Sequence, residues 1–143
     1  MHHENTNLLN EVSKATKMGM EAIQILLPKI KNQDLKKDLN EQSAEYQKLH
    51  AKANDAMAEY GVTPGKEKMM DQTMLWGSIQ MNTLLDSSEQ HIAEIMINGT
   101  TMGIIDMTKK LNELEQPDKK EKEIAEEFIE QSQTHIDMWK NYL

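Results

Sequence analysis

Apolar residues recur at alternating spacings of three and four along most of the chain, which is the period of one face of an α-helix. Four segments show this pattern, over residues 6–27, 34–60, 86–114 and 118–142. The first two stripes are Leu8, Val12, Ala15, Gly19, Ala22 and Leu26, then Leu35, Leu39, Gln42, Tyr46, Leu49, Ala53, Met57 and Tyr60. The other two are Ala93, Ile97, Thr100, Ile104, Met107, Leu111 and Leu114, then Ile124, Phe128, Ser132, His135, Trp139 and Tyr142. The pattern predicts four long amphipathic helices.

Breaker and capping residues set the ends of these helices. Thr6 or Asn7 is an acceptable N-cap for the first, and Pro28 should end it at Leu27 or kink its last turn. Gly61 is placed to stop the second helix. Because only a short polar turn separates these two helices, we expect them to pair antiparallel.

The link between the second and third long helices, residues 62–87, is too long and too apolar for a simple loop. Its apolar residues, spaced as in an amphipathic helix, are Met70, Met74, Trp76, Ile79, Met81, Leu84 and Leu85. A helix here rises about 1.5 Å per residue, long enough to cross the molecule and make the flanking helices parallel. The sequence therefore predicts an all-α fold: an antiparallel four-helix bundle with an additional crossover helix between helices two and three, in one domain spanning residues 1–143.

Composition narrows the possible partners. The 143 residues carry a net charge of −8 with no basic run, which argues against nucleic acid or an anionic membrane surface as a partner. The absence of cysteine removes disulfides, thiolate nucleophiles and sulfur-ligated metals. No apolar run reaches the ~18 residues of a membrane-spanning helix. We expect a soluble, cytoplasmic protein.

A bundle of this kind raises the question of a di-iron or di-manganese site. Such sites need a glutamate from each of two helices and a Glu-x-x-His pair from each of the others. Here the residue three positions before His50 is a glutamine, and the residue three positions before His135 is a serine. Glu45 lies to one side of its stripe, and Glu94 faces the opposite way from the stripe of its helix. No complete set of di-metal ligands is predicted.

His135 nevertheless lies on an apolar stripe, among other polar stripe residues. When residues are counted along each helix from the same end of the bundle, five polar residues fall at one level and form a layer: Gln42, Asn98, Thr100, Ser132 and His135. One interpretation is a buried hydrogen-bonded layer that fixes helix register. The other is a site for a single metal or a small polar ligand. Local distortion would be needed to gather the candidate metal ligands, which are His135, His50, Glu45 and Glu94.

Two glycines, Gly99 and Gly103, lie one turn apart on the third long helix and permit close approach of another backbone. They fit tight packing against the crossover helix. The alternative to this packing is a small pocket or a dimer contact, and the sequence leaves that alternative open.

The layout also resembles a known family. Residues 8–30 and 34–64 resemble the first helical hairpin, and residues 74–111 the crossover and third helices, of ferritin-like bacterial proteins of unknown function. The resemblance implies the scaffold. Metal-binding relatives carry acidic residues where this chain has Ile97, Asn98, Gly99, Thr100 and Thr101. That departure argues against a metal centre.

The leading functional hypothesis is thus a non-enzymatic structural or interaction module without a cofactor, which associates with itself or with a protein partner. An oxidoreductase or storage protein that binds iron or manganese through irregular ligands is the first alternative. A carrier of a small ligand, held at the layer around Gln42 and His135, is the second.

Overall fold

The computed structural model describes residues 2–62, 72–84 and 86–143, and every regular element among them is helical. Within these ranges lie five α-helices and two short 3-10 turns. The helices are α1 (His2–Leu26), α2 (Gln33–Glu59), α3 (Gln72–Leu84), α4 (Glu89–Glu113) and α5 (Lys119–Trp139). The 3-10 turns are Leu27–Lys29 and Lys140–Tyr142. The all-α class expected from the sequence is confirmed.

Local chemistry explains where α1 and α2 end. Pro28 stands in the 3-10 turn that follows Leu26, as expected of a ring that cannot continue an α-helix. The Asn32 side chain then caps α2 by accepting the backbone N–H groups of its first turn. At the other end Gly61 has a φ of 76°, and two backbone bonds close the last turn of the helix. α1 begins before Thr6, because an apolar stripe marks only the buried part of a helix.

α4 and α5 also begin at capping residues. The Ser88 side chain accepts the backbone N–H of His91 at 3.2 Å, so Ser88, which lies within the predicted start at residues 86–88, is the N-cap of α4. Asp86 instead accepts the backbone N–H of Ser88 at 3.0 Å in the preceding turn. Asp118 is the N-cap of α5, and its carboxylate accepts a hydrogen bond from Tyr60.

Contacts between helices fix their directions. The start of α1 packs in one apolar cluster with the end of α2, and the end of α1 packs in the other with the start of α2, so these two helices are antiparallel. Tyr142 donates to Asp38 at 2.5 Å. Together with the Tyr60–Asp118 bond at the opposite end, this contact shows that α5 is antiparallel to α2.

The core forms two apolar clusters, one at each end of the molecule. The first combines the start of α1, the end of α2, the end of α4 and the start of α5: Leu8, Leu9, Val12, Tyr46, Leu49, Ala53, Ala56, Met57, Met107, Ile124, Ala125 and Phe128. The second combines the opposite ends with α3: Ile23, Leu26, Ile30, Leu35, Leu39, Ile79, Ile92, Ala93, Met96 and Trp139. Asn32 also donates to Glu89 at 2.5 Å. α2 and α4 both start at this second end and so run in the same direction.

α3 lies against the end of α1, where Lys29 donates to Gln80 at 2.6 Å and Ile79 enters the second cluster. The predicted contacts of Met70, Met74, Trp76 and Leu85 lie outside what the structure describes. None of the described helices is both long and apolar enough to cross a membrane.

Candidate functional site

The interior polar residues meet around the hydroxyl group of Tyr46. This group is 3.0 Å from the Ser132 hydroxyl, which joins α2 to α5. Burial raises the pKa of Tyr46 above its usual value. The polar side chains of Ser132, Gln42 and Thr100 lower this pKa, but by less than burial raises it. Side chains from three helices, α2, α4 and α5, therefore surround one phenol in the core.

His135 lies beside this phenol and is 4% exposed. Its Nε2 pairs with the carboxylate of Glu45, whose side chain is 49% exposed. Its ring meets Tyr46 edge-on at a centroid distance of 6.0 Å, and stacks on Trp139 at 6.1 Å. Burial lowers the pKa of His135, against the opposite effect of nearby carboxylates, chiefly that of Glu45. At neutral pH the ring is thus uncharged, with Nε2–H donating to Glu45 and Nδ1 left as an acceptor.

Several buried polar atoms around this histidine have no hydrogen-bond partner among the described residues. They are Gln42 Nε2 and Oε1, Gln131 Oε1, His135 Nδ1 and Trp139 Nε1. Each such atom costs about 1–3 kcal/mol relative to its hydrated state in the unfolded chain. Their concentration in one place is therefore a feature that needs an explanation. We call Gln42, Tyr46, Thr100, Ser132, His135 and Trp139 the polar cluster.

The polar cluster overlaps the layer predicted from the sequence. The structure buries Gln42, Thr100, Ser132 and His135. Asn98 is exposed, and its assignment to the buried layer was wrong. Two positions along a helix turn a side chain by about 200°, so Asn98 and Thr100 point to nearly opposite sides. Sequence reasoning missed Tyr46 and Trp139 because it treated them as apolar stripe members, although each carries one polar atom.

The candidate metal ligands do not come together as a set. Glu45 and His135 form one pair, while the exposed Glu94 pairs instead with His91 at 3.3 Å. Among the described residues no three His, Asp or Glu side chains are grouped so as to hold a metal ion. A di-iron or di-manganese centre needs several carboxylates around the ions, and a single Glu–His pair does not fit one.

His50 belongs to a separate polar network between α1 and α2. Its Nδ1 is 3.0 Å from the Ser13 carbonyl oxygen, and its Nε2 is 3.1 Å from the Asn54 amide nitrogen. Since a carbonyl only accepts and an amide NH₂ only donates, Nδ1 carries the proton and Nε2 accepts. Both ring nitrogens of His50 are occupied in holding α1 against α2.

The outer face of α4 is the second unusual feature. Residues 95–105 contain no charged side chain, although this segment is partly exposed. Its exposed members, which we call the α4 face, are Asn98, Gly99, Thr101, Met102 and Ile105. Met102 is 62% exposed and Ile105 is 46% exposed.

The two glycines of α4 have different surroundings. A Cβ added to Gly103 would lie 3.5 Å from the ring of Phe128, so this glycine faces α5. One added to Gly99 would have no atom within 4 Å. Packing inside the described part of the chain therefore gives a reason for Gly103 and none for Gly99.

Comparison of the chain with protein-family models, with curated proteins and with solved structures gives no match. Two features of the chain itself bear on function. The polar cluster offers unused hydrogen-bond donors and acceptors in the interior, and the α4 face offers an uncharged surface.

Proposed function

We propose that this chain is a ferritin-like four-helix bundle with a crossover helix, and that its role is non-enzymatic. In this proposal it is an interaction module that binds a second copy of itself through the α4 face. The single observation that carries the proposal is the exposed, uncharged surface of α4, centred on Met102.

The directions of the helices support the bundle. α2 has 27 residues and is therefore about 40 Å long. Because α2 and α4 both start at the second apolar cluster, the chain must return over that length between Tyr60 and Ser88. α3 lies within this link and contacts α1, which is the place of a crossover helix.

The composition of the α4 face supports association. The exposed sides of the neighbouring helices carry paired charges, as in the Lys52–Glu127 and Lys120–Glu59 bridges, both 2.9 Å long. The α4 face instead exposes Met102 and Ile105 to water, and covering these side chains is favourable by about 25 cal/mol per Å² of apolar surface.

The charges at the two ends of α4 favour a second copy as the partner. Exposed Glu94 lies directly before the uncharged segment, and exposed Asp106 and Lys109 follow it. Glu94 and Lys109 are the same number of residues from the midpoint between Thr101 and Met102. An antiparallel pair of α4 helices related by a two-fold axis at that midpoint places each Glu94 beside Lys109 of the other copy. A molecule of net charge −8 then associates through an uncharged centre with complementary ends.

Sedimentation velocity over a range of protein concentrations tests this arrangement. We expect the wild-type chain to sediment as a reversible dimer, and Met102→Lys to shift the equilibrium to monomer because it buries two charges at the centre of the contact. Leu143→Lys is the matched control, since Leu143 is 60% exposed at the chain terminus. It should leave the dimer unchanged.

A charge exchange tests the antiparallel register itself. Glu94→Lys and Lys109→Glu should each weaken the dimer by placing like charges together, and the double variant should restore it. A wild-type chain that remains monomeric at high concentration would refute the proposal. A dimer that resists Met102→Lys would refute the use of this face.

Elemental analysis separates the proposal from the metal-binding alternative. After expression with added iron and manganese, we expect well under one ion per chain, since the Glu45–His135 pair supplies too few ligands. A near-stoichiometric metal content would overturn the non-enzymatic assignment.

A further inference from the structure

The unpartnered atoms of the polar cluster come from three side chains that are almost fully buried. Gln42 and Trp139 are 0% exposed, and His135 is 4% exposed. Four of their polar atoms have no hydrogen-bond partner among the described residues: both amide atoms of Gln42, the Nδ1 of His135 and the Nε1 of Trp139. A purely structural layer would be expected to satisfy these atoms among themselves.

These three side chains lie at one level of the molecule. His135 and Trp139 are one turn apart on α5, with their rings stacked at 6.1 Å. Across from them, α2 contacts α5 through Glu45–His135 on one side and Asp38–Tyr142 on the other. Gln42 lies between Asp38 and Glu45 on α2, which places it level with the turn that joins His135 to Trp139.

The donor or acceptor character of each unpartnered atom defines which ligand group could form a hydrogen bond with it. Since the Nε2–H of His135 donates to Glu45, its Nδ1 needs a donor. The indole N–H of Trp139 needs an acceptor, and the amide of Gln42 needs one of each. The complement is a compact group with a donor and an acceptor side by side. A charged group is disfavoured because the surroundings, which include Leu39 and Met96, are apolar.

We propose that the polar cluster is a binding site for a small uncharged molecule bearing a carboxamide or urea group. The carbonyl oxygen of this group accepts from Trp139 and Gln42, and its N–H donates to His135 and to the Gln42 oxygen. Glu45, half exposed and directly outside His135, marks the side from which the molecule enters. This function is independent of the self-association proposed above.

Acetamide is the smallest probe with this pattern, and the indole N–H of Trp139 is a direct reporter. The chain has two tryptophans, so the loss of one indole signal in Trp139→Phe assigns the resonance in ¹⁵N-resolved NMR spectra. We expect acetamide to shift the Trp139 indole and Gln42 amide signals saturably. N,N-dimethylacetamide, which has the carbonyl but no N–H donor, should bind about tenfold more weakly.

Two variants separate a binding role from a structural one. Gln42→Leu removes the amide and should abolish the saturable shift, yet it should not destabilise the fold, since it replaces unpaired polar atoms by apolar ones. Gln42→Met serves the same purpose with a slimmer side chain. Gln47→Leu alters an exposed glutamine of the same helix and should bind acetamide as the wild type does.

Three results would overturn the proposal. The first is a shift that grows linearly without saturation, equally for both amides. The second is saturable binding that survives Gln42→Leu. The third is a long-lived water contact to the Trp139 indole that persists at high acetamide concentration, which would show that the site holds ordered water only.

Discussion

At Gly19, α1 passes close to the ring of Tyr46. A Cβ at this position would lie 2.5 Å from Tyr46 Cε2 and 2.8 Å from Cδ2, closer than non-bonded carbon atoms approach in folded proteins. The ring cannot simply withdraw, because Phe128 stacks on it at 5.9 Å and Ser132 binds its hydroxyl.

We therefore predict that Gly19→Ala lowers the free energy of unfolding by about 1–3 kcal/mol, the usual cost of overpacking a core. Urea unfolding followed by circular dichroism measures this change. Gly77→Ala is the control, since a Cβ there meets nothing within 4 Å. Equal stability of Gly19→Ala and wild type would mean that the Tyr46 ring is free to move.

His135 makes stability depend on pH. Burial lowers its pKa below the usual 6.5, and Glu45, Glu41 and Asp38 oppose this effect without cancelling it. The unfolded chain then binds a proton more readily than the folded chain. This contribution to stability is complete above pH 6.5 and is lost as the pH falls toward the lowered pKa.

Urea unfolding between about pH 7.5 and about pH 5.5 measures this loss, across the range in which histidines titrate. Subtracting the same series for His135→Gln isolates the contribution of His135 from the rest of the pH dependence. Glu45→Gln should steepen the dependence, because removing the carboxylate lowers the pKa of His135 further. An identical pH dependence in the wild type and His135→Gln would contradict this assignment.

The sequence predicted the burial of most of the polar cluster, but not how its polar atoms are paired. Stripe positions placed Gln42, Thr100, Ser132 and His135 inside, because a residue in phase with an apolar stripe shares its burial. Which polar atoms go unpaired depends on distances between helices, and periodicity contains no such distances. The pairing of His135 with Glu45, and the separation of both from His50, needed the structure.

At the scale of the helices, α2 is terminated by a residue whose backbone has the left-handed conformation. Gly61 has a φ of 76°, and its N–H donates to Ala58 while that of Val62 donates to Met57. Any residue with a Cβ is strained by about 1 kcal/mol or more in this conformation.

We predict that Gly61→Ala lowers the free energy of unfolding by about 1 kcal/mol, although the substitution creates no clash. Gly61→Asn should recover part of the loss, since asparagine tolerates this region better. Thermal unfolding of the two variants measures the difference. An alanine variant as stable as the wild type would show that the chain closes α2 in another way.

Helix boundaries followed from breaker residues better than from apolar periodicity. Pro28 and Gly61 marked the ends of α1 and α2 to within a residue, since each restricts the backbone by itself. For α4 the sequence placed the start only within residues 86–88, because Asp86 and Ser88 are both good caps. In the structure Asp86 caps the turn before the helix, and only Ser88 caps the helix.

At the scale of the whole molecule, the direction of α4 depends on the link between Tyr60 and Ser88. The length and apolar character of this link indicated that α2 and α4 run in the same direction, as they do. A partner surface is harder to read from one sequence, because an exposed and a buried apolar residue look alike in a stripe. Met102 lies in the same apolar segment as Ile92 and Met96, yet it is 62% exposed and they are buried.

Replacing Gly99 by alanine should change the stability of the monomer and the strength of self-association in opposite directions. Within the described chain its position is open, so Gly99→Ala should raise the stability of the monomer by about 0.5–1 kcal/mol through helix propensity. In the proposed dimer Gly99 lies beside Met102, where the added methyl group holds the two α4 helices apart. We therefore expect the dissociation constant, measured by sedimentation velocity, to rise severalfold.

Gly103→Ala is the matched control for this pair of effects. It gives the same gain in helix propensity, but its methyl group makes an ordinary contact with Phe128 inside the fold, at 3.5 Å. It should leave the dissociation constant unchanged. If Gly99→Ala stabilises the monomer without weakening the dimer, the second copy does not approach α4 at Gly99, and the contact is centred instead on Ile105 and Lys109.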